Sequence, residues 1–188
     1  IYSLDEDHLL FVTTDRVSAF DVVMKEGVPF KGRVLTTIAA HWFERTRDII
    51  PNHLVSTSID EVESLDGSWR DRLRGRVMIV RRATPDPIEW VVRGHIAGSG
   101  WKEYQAQGTI CGIPLPAGLE QAEELPEPIV TPTTKHEAHD RPLTPDEARE
   151  LVGADRWEHG QEICLSLFER GRQELAALGL RLADTKFE

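Results

Sequence analysis

The sequence predicts an α+β chain of two lobes with mainly antiparallel sheets. Three observations lead there. Short apolar runs rich in β-formers recur at residues 8–14, 54–57, 76–82 and 88–96. Two longer segments, 32–48 and 155–178, instead carry apolar residues at helical spacing. Between the strands at 76–82 and 88–96 lies a link holding Pro85 and Pro87. It reads as a hairpin turn, or as the joint between two lobes. The lobes would be residues 1–84, a small N-terminal α+β unit, and residues 85–188, a larger unit truncated at its C-terminus.

Taken in order, residues 1–4 pair with the strand 8–14 across the acidic turn Asp5–Asp7. The segment DRVSAFD (15–21) is a polar loop at a strand end, and residues 22–24 form another short strand. The helix 32–48 puts Val34, Leu35, Ile38, Ala39, Trp42 and Phe43 on one side and is ended by Pro51. Residues 60–67 are a polar excursion, and 76–82 with 88–96 form the expected hairpin. A helix begins at Trp101 and is stopped by Gly108. Residues 109–119 are a loop or weak hairpin, and the acidic, proline-interrupted 121–128 is extended and exposed. Thr144-Pro145-Asp146-Glu147 is a capping box with proline at the first helical position. Asp155-Arg156-Trp157-Glu158 opens the longer helix in a similar way. Its apolar side is Cys164, Leu167, Phe168, Leu175 and Leu178, which is core spacing, and Gly179 stops it. Residues 180–188 alternate as a strand.

The composition narrows the function classes. The 188 residues are 40% hydrophobic and 29% charged, enough for a proper core. A net charge of −10 argues against a nucleic-acid binder while permitting a local basic pocket. No apolar run is long enough to span a membrane, and no leader-like segment opens the sequence. Cys111 and Cys164 make neither a disulfide framework nor a metal-ligand spacing. Two packing cysteines in a cytoplasmic, reducing setting are expected. Residue 1 is Ile rather than Met, and both ends read as interrupted strands, so a fragment of a longer protein is expected.

Three stretches carry chemistry. In VVRGHIAGSGWKEY (91–104) an apolar strand meets Arg93, small residues and a helix start. Glycines let the backbone approach a ligand, free N–H groups face an anion, and arginine grips phosphate. In IVTPTTKHEAHD (129–140) threonines, Lys135, His136, His139 and acids are combined. The histidines are three apart, not four, and Pro132 and Pro142 oppose a helix, so the zinc-protease pattern is not met. A polar loop contacting a small acid fits instead. In LRLADTKFE (180–188) strand alternation places Asp184, Lys186 and Glu188 on one face. Carboxylates suit Mg²⁺ and lysine suits phosphate.

The ordered series TDRVSAFD, VPFKGRVLTTIAAHWF, VVRGHIAGSGWKEY, LPEPIVTPTTK with a following HD, and ADTKFE resembles the phosphoribosylaminoimidazole-succinocarboxamide synthases (SAICAR synthases) over nearly the whole chain. The resemblance implies an ATP-grasp-related fold with ATP in a cleft between the lobes. It implies a cytoplasmic, Mg²⁺-dependent ligase of purine synthesis. Such an enzyme joins L-aspartate to the carboxylate of carboxyaminoimidazole ribonucleotide (CAIR) through an acyl phosphate. The partners implied are CAIR, L-aspartate and ATP, with no nucleic acid and no membrane.

Residue by residue, the resemblance places Arg93 and Ser99 on the ribose 5′-phosphate and Lys135 on the ATP phosphates. It places His139 and Asp140 near aspartate or the reacting carboxylate, and Ser18 and Asp21 in the substrate pocket. Asp184 and Lys186 would be catalytic, meeting CAIR and nucleotide, and Glu188 would hold Mg²⁺. The chain departs from many relatives in having Arg141-Pro142 after HD, where they carry another acid. A lysine-bearing loop upstream and a downstream segment with a second metal carboxylate are expected outside the 188 residues, so these residues alone should turn over poorly. The alternatives are a non-catalytic nucleotide-binding module of the same fold, or one part of a bifunctional purine enzyme.

Overall fold

The structure, a computed structural model, describes residues 1–19, 22–135 and 140–188. The chain divides into two compact units, Ile1–Thr84 and Pro85–Glu188.

In the first unit β1 (Tyr2–Ser3) pairs antiparallel with β2 (His8–Val12). The connecting turn is tied by the Asp5 carboxylate, which accepts the backbone N–H groups of Asp7 and His8, both at 2.8 Å. A small hairpin, β3 (Ser18–Ala19) and β4 (Val22–Val23), precedes helix α1 (Lys31–Arg45). Then come β5 (Leu54–Ser56), a 3₁₀ turn (Ile59–Glu61), helix α2 (Gly67–Leu73) and β6 (Val77–Arg81). The sheet order is β1-β2-β6-β5. Leu10, Ile59, Val62, Val77 and Ile79 form its core.

Two expectations are corrected here. Residues 60–67 are not merely a polar excursion, because Val62 is buried in the core with Ile59 of the 3₁₀ turn, and Leu65 packs against them. Helix α1 also ends at Arg45, before Pro51, and turns a different side inward than its apolar spacing implies. Its fully buried residues are Gly32 and Thr36; of the expected apolar side, Ala39, Trp42 and Phe43 are half-buried and Val34, Leu35 and Ile38 are exposed. The cause lies in its first turn. The Asp15 carboxylate accepts the Gly32 N–H at 2.9 Å and takes both terminal nitrogens of Arg76 at 3.1 and 3.3 Å. Only a bare glycine fits there, since a Cβ on Gly32 would lie 2.3 Å from the Thr13 carbonyl oxygen. The Thr36 hydroxyl then meets that of Thr13 at 3.2 Å. The Gly32 N–H and the Arg76 guanidinium together hold the Asp15 carboxyl below the usual carboxylate range.

The second unit is built on β7 (Ile88–His95). Helix α3 (Gly98–Gln107) follows, capped by Gly108 at φ 72°, then the hairpin β8 (Thr109–Ile110) and β9 (Ile113–Pro114). Next come β10 (Glu124–Val130), β11 (Thr133–Thr134), helices α4 (Pro145–Val152) and α5 (Ala154–Ala176), and β12 (Asp184–Phe187). All of β10, β11 and β12 pair antiparallel with β7. Val92 and Arg93 pair with both β10 and β12, so those strands take opposite edges, and β11 continues the register of β10.

The expected hairpin between 76–82 and 88–96 is therefore absent. Both edges of β6 are occupied by β2 and β5, and both edges of β7 by other strands. Pro85 and Pro87 lack the N–H a ladder would need, and the boundary between the units falls at this link. Of residues 121–128, expected to be extended and exposed, Gln121 and Ala122 form a turn with Ala122 at φ 69°, and residues 124–128 lie in β10 with Leu125 buried.

The core face of β7 is Ile88, Trp90 and Val92, packed against Trp157, Cys164 and Phe168 of α5. Trp90 stacks on Trp157 with ring centroids 5.1 Å apart. Gly160 lets the helix come this close, because a Cβ there would sit 2.4 Å from the Trp90 ring. Helix α4 carries the capping box: the Thr144 hydroxyl accepts from the Glu147 N–H at 3.2 Å, and the Thr144 N–H donates to the Glu147 carboxylate at 2.7 Å. Helix α5 does not begin in the same way. It starts from Gly153 at φ 88°, with no side-chain cap. Burial pushes the Cys111 thiol up to about 11 and that of Cys164 up to about 12, so both pack as inert apolar groups at neutral pH. Among the described residues no helix is long and apolar enough to cross a membrane.

Candidate functional site

Side chains alternate across a strand, so with Ile88, Trp90 and Val92 on the core side, Glu89, Val91 and Arg93 share the other. Antiparallel register carries this face onto the neighbouring strands. Asp184 lies opposite Arg93 and Lys186 opposite Val91 on β12, while Thr133 lies opposite Glu89 on β11. Phe187, opposite Trp90, belongs to the core side and packs there. One sheet face thus collects two acids, a lysine and an arginine on a rigid, four-strand platform.

The face has two poles. At one, the Arg93 Nε donates to the Thr131 hydroxyl at 3.1 Å and a terminal nitrogen donates to the Ser99 hydroxyl at 3.3 Å. Ser99 stands in the first turn of α3, whose N-cap, Ala97, offers no side-chain cap and whose first turn has no acid. Uncapped N–H groups beside a guanidinium are donors of the kind that suit an anion. Gly100 keeps this pole open: a Cβ there would come within 3.1 Å of Ile110 and 3.6 Å of the Arg93 guanidinium.

At the other pole Glu89, 9% exposed, binds the Lys186 ammonium and accepts from the Thr133 hydroxyl at 3.2 Å. Lys186 also faces the Asp140 carboxylate at 3.5 Å. Lys135 pairs with Glu188, and its backbone N–H donates to the Pro87 carbonyl at 3.3 Å, beside the start of β7. Burial pushes the Glu89 carboxyl up. The Lys186 hydrogen bond and charge, the Thr133 hydroxyl and the Lys135 charge outweigh that and hold it below the usual range. The Glu89 hydrogen bond in turn raises Lys186 against the opposing effect of burial. Four residues of strand separate Glu89 from Arg93, about 13 Å at the usual rise.

The structure therefore brings together Arg93, Ser99 and Asp184 at one pole and Lys135, Asp140, Lys186 and Glu188 at the other. Ser18 lies in β3 of the first unit, exposed. Asp21 and His139, and the His136 and Glu137 of the rejected zinc pattern, lie outside the described residues. Sequence reasoning missed Glu89, Thr131 and Thr133. The signal for Glu89 was present: a single acid inside the apolar run IEWVV, four residues before Arg93. A charge buried in a strand is retained when partners await it.

Such a face, an arginine beside a helix start at one end and paired lysines and carboxylates at the other, stands on the sheet of an α+β protein. The family model described as SAICAR synthetase matches residues 1–188. The phosphoribosylaminoimidazole-succinocarboxamide synthase of Syntrophotalea carbinolica is 54% identical over 190 residues, covering 100% of this chain and 64% of its own length. The SAICAR synthase of Saccharomyces cerevisiae, solved in complex with SAICAR, superposes with TM-score 0.92 at 37% identity, covering 99% of this chain and 63% of that one. A SAICAR synthetase in complex with ADP superposes with TM-score 0.75 at 26% identity over 98% of this chain and 69% of its own. The chain belongs to the SAICAR synthetase family. It spans a little under two thirds of the length of these curated relatives.

Proposed function

We propose that this chain forms part of an ATP-dependent ligase that joins L-aspartate to the carboxylate of CAIR, giving SAICAR in cytoplasmic purine synthesis. The observation that carries the reading is the two-pole face of β7. Its Arg93–Ser99 pole suits the ribose 5′-phosphate, and the pole about 13 Å along the strand suits the reacting carboxylate and the ATP phosphates.

A carboxylate resists attack by an amine because its charge repels the nucleophile. Transfer of the ATP γ-phosphoryl group to a CAIR carboxylate oxygen breaks the phosphoanhydride bond, releases ADP and forms an acyl phosphate. The amine of aspartate then attacks the acyl carbon, the C–O bond to phosphate breaks, and inorganic phosphate leaves with the amide formed. Such a reaction needs positioning and charge neutralisation rather than a protein nucleophile. That accords with the two inert thiols. Lys135 and Lys186 would neutralise the phosphates, Asp184 would orient CAIR and Asp140 the incoming aspartate. His139 would stand with Asp140 near aspartate or the reacting carboxylate.

Among the described residues no group of three or more acids, histidines or cysteines converges as an all-protein metal cage. Mg²⁺ is commonly held by one or two carboxylates with substrate phosphates and water. Glu188 would hold it, sharing or releasing Lys135, and the bound ion would add positive charge at the phosphates.

The test is a SAICAR-forming assay, dependent on ATP, CAIR and aspartate, on a family-length protein carrying this chain. Arg93→Ala and Lys186→Ala should each reduce kcat/KM by at least tenfold. Unchanged rates in both would overturn the assignment. Residues 1–188 alone should turn over poorly, and full activity in them would refute that part.

A further inference from the structure

A tight turn closes the Arg93–Ser99 pole into a ring of contacts. The hairpin of β8 and β9 pairs Ile110 with Ile113, so its loop is the two residues Cys111 and Gly112. Both hold positive φ, 52° and 76°, as in the primed turn that matches the twist of a hairpin. Glycine takes this backbone freely, whereas residues with a side chain rarely adopt it. At Cys111 it is held from two sides. The Cys111 N–H donates to the Glu103 carboxylate at 2.6 Å, and the buried thiol donates weakly to the Pro132 carbonyl at 3.8 Å. Glu103 stands four residues after Ser99 in α3, so the two share one side of that helix. Pro132 follows Thr131, whose hydroxyl accepts from the Arg93 Nε. The path runs from Arg93 to Ser99, along α3 to Glu103, across to Cys111, and back through Pro132 and Thr131 to Arg93.

We infer that Glu103 is a positioning residue for this pole. By holding the Cys111 N–H it fixes α3, and with it Ser99 and the N–H groups of the first turn, against the Arg93 guanidinium. The inference rests on the reading of this pole as the ribose 5′-phosphate site. Helix α3 begins without a side-chain cap and at Gly98, φ 58°, the residue type with most backbone freedom. Its start is thus left to a ligand, and its placement comes from contacts further along. Glu103 supplies one that is short and charge-assisted, and so stronger than a bond between neutral groups. Its carboxylate is engaged by a backbone N–H. Arg93 is held by two hydroxyls, which leave its charge for a ligand.

The test separates reach from charge in a family-length protein carrying this chain. Glu103→Gln keeps an acceptor oxygen at the same reach and loses the charge. Glu103→Asp keeps the charge and falls one methylene short of the N–H. Glu103→Asp should raise KM for CAIR about fivefold or more, while kcat and the KM for ATP stay within about twofold of the parent. Glu103→Gln should hold KM for CAIR within about twofold of the parent. Parental behaviour of Glu103→Asp overturns the inference, and so does a Glu103→Gln that is as impaired as Glu103→Asp. A Glu103→Asp variant that loses kcat and the KM for ATP together overturns it too, because that reports a general loosening of the fold. Arg93→Ala alone distinguishes the two levels of the argument. An unchanged KM for CAIR there sinks the phosphate reading and this inference with it. A raised KM there beside a parental Glu103→Asp sinks this inference only.

Discussion

The two faces of β7 are made of alternate residues of one strand and do opposite jobs. Ile88, Trp90 and Val92 face α5 and hold the unit together by burial and ring stacking. Glu89 and Arg93, each one residue away, lie on the face where Lys186 and Asp184 join from β12. Packing of the first face against α5 fixes where the second face stands. A substitution on the core side should thus be read in stability, and one on the polar side in ligand binding, with Glu89 and Lys186 between the two.

The largest effect is expected at Trp90→Ala, which removes the stack on Trp157 and opens a cavity. Unfolding free energy should fall by about 3–5 kcal/mol, measured by urea denaturation followed through tryptophan fluorescence. A loss under 1 kcal/mol would mean that this face is not the core.

Lys186→Ala should cost about 1–2 kcal/mol, because it leaves the buried Glu89 carboxylate short of its main partner while the lysine itself is half-exposed. The pH profile gives the sign. Glu89 is held below its usual 4.5, so its stabilisation is present above that pH and is lost as pH falls through the lowered value. Lys186 is held above its usual 10.5, so its stabilisation is present below that pH and is lost as pH rises through the raised value. In Lys186→Ala the alkaline limb should vanish and the acid limb should move to higher pH, since burial then acts on Glu89 with less to oppose it. Denaturation midpoints across the pH range would show both, and an unchanged profile would dissolve the pair. Thr144→Ala, away from both faces, should cost about 1 kcal/mol by unmaking the capping box, checked by the same denaturation.

How much of this was legible depended on whether a signal was local. The capping box at Thr144–Glu147 depends on residues three apart and was readable as it stands. So was the shared face of Asp184 and Lys186, which needs only strand alternation; the strand ends before Glu188. Strand pairing was not. The adjacency of 76–82 and 88–96 suggested a hairpin, but the partners of β7 lie some forty and ninety residues downstream, beyond any spacing argument. Helices α1 and α5 make the same point. Both have helical apolar periodicity, yet α5 buries Trp157, Cys164 and Phe168 while α1 buries Gly32 and Thr36. Periodicity predicts that a helix forms and not what covers it. At α1 the orientation is decided by a glycine contact and an ion pair reaching sixty-one residues along the chain.

The smallest expected change in stability, with a large one in binding, belongs to Arg93, and it tests the division of labour most directly. SAICAR affinity and melting temperature would be measured side by side for a family-length protein and its Arg93→Ala variant. The account predicts affinity at least tenfold weaker, about 1.4 kcal/mol, with melting shifted by no more than a degree or two. Unaltered affinity, or a weakening that merely follows a collapse in melting temperature, would contradict it.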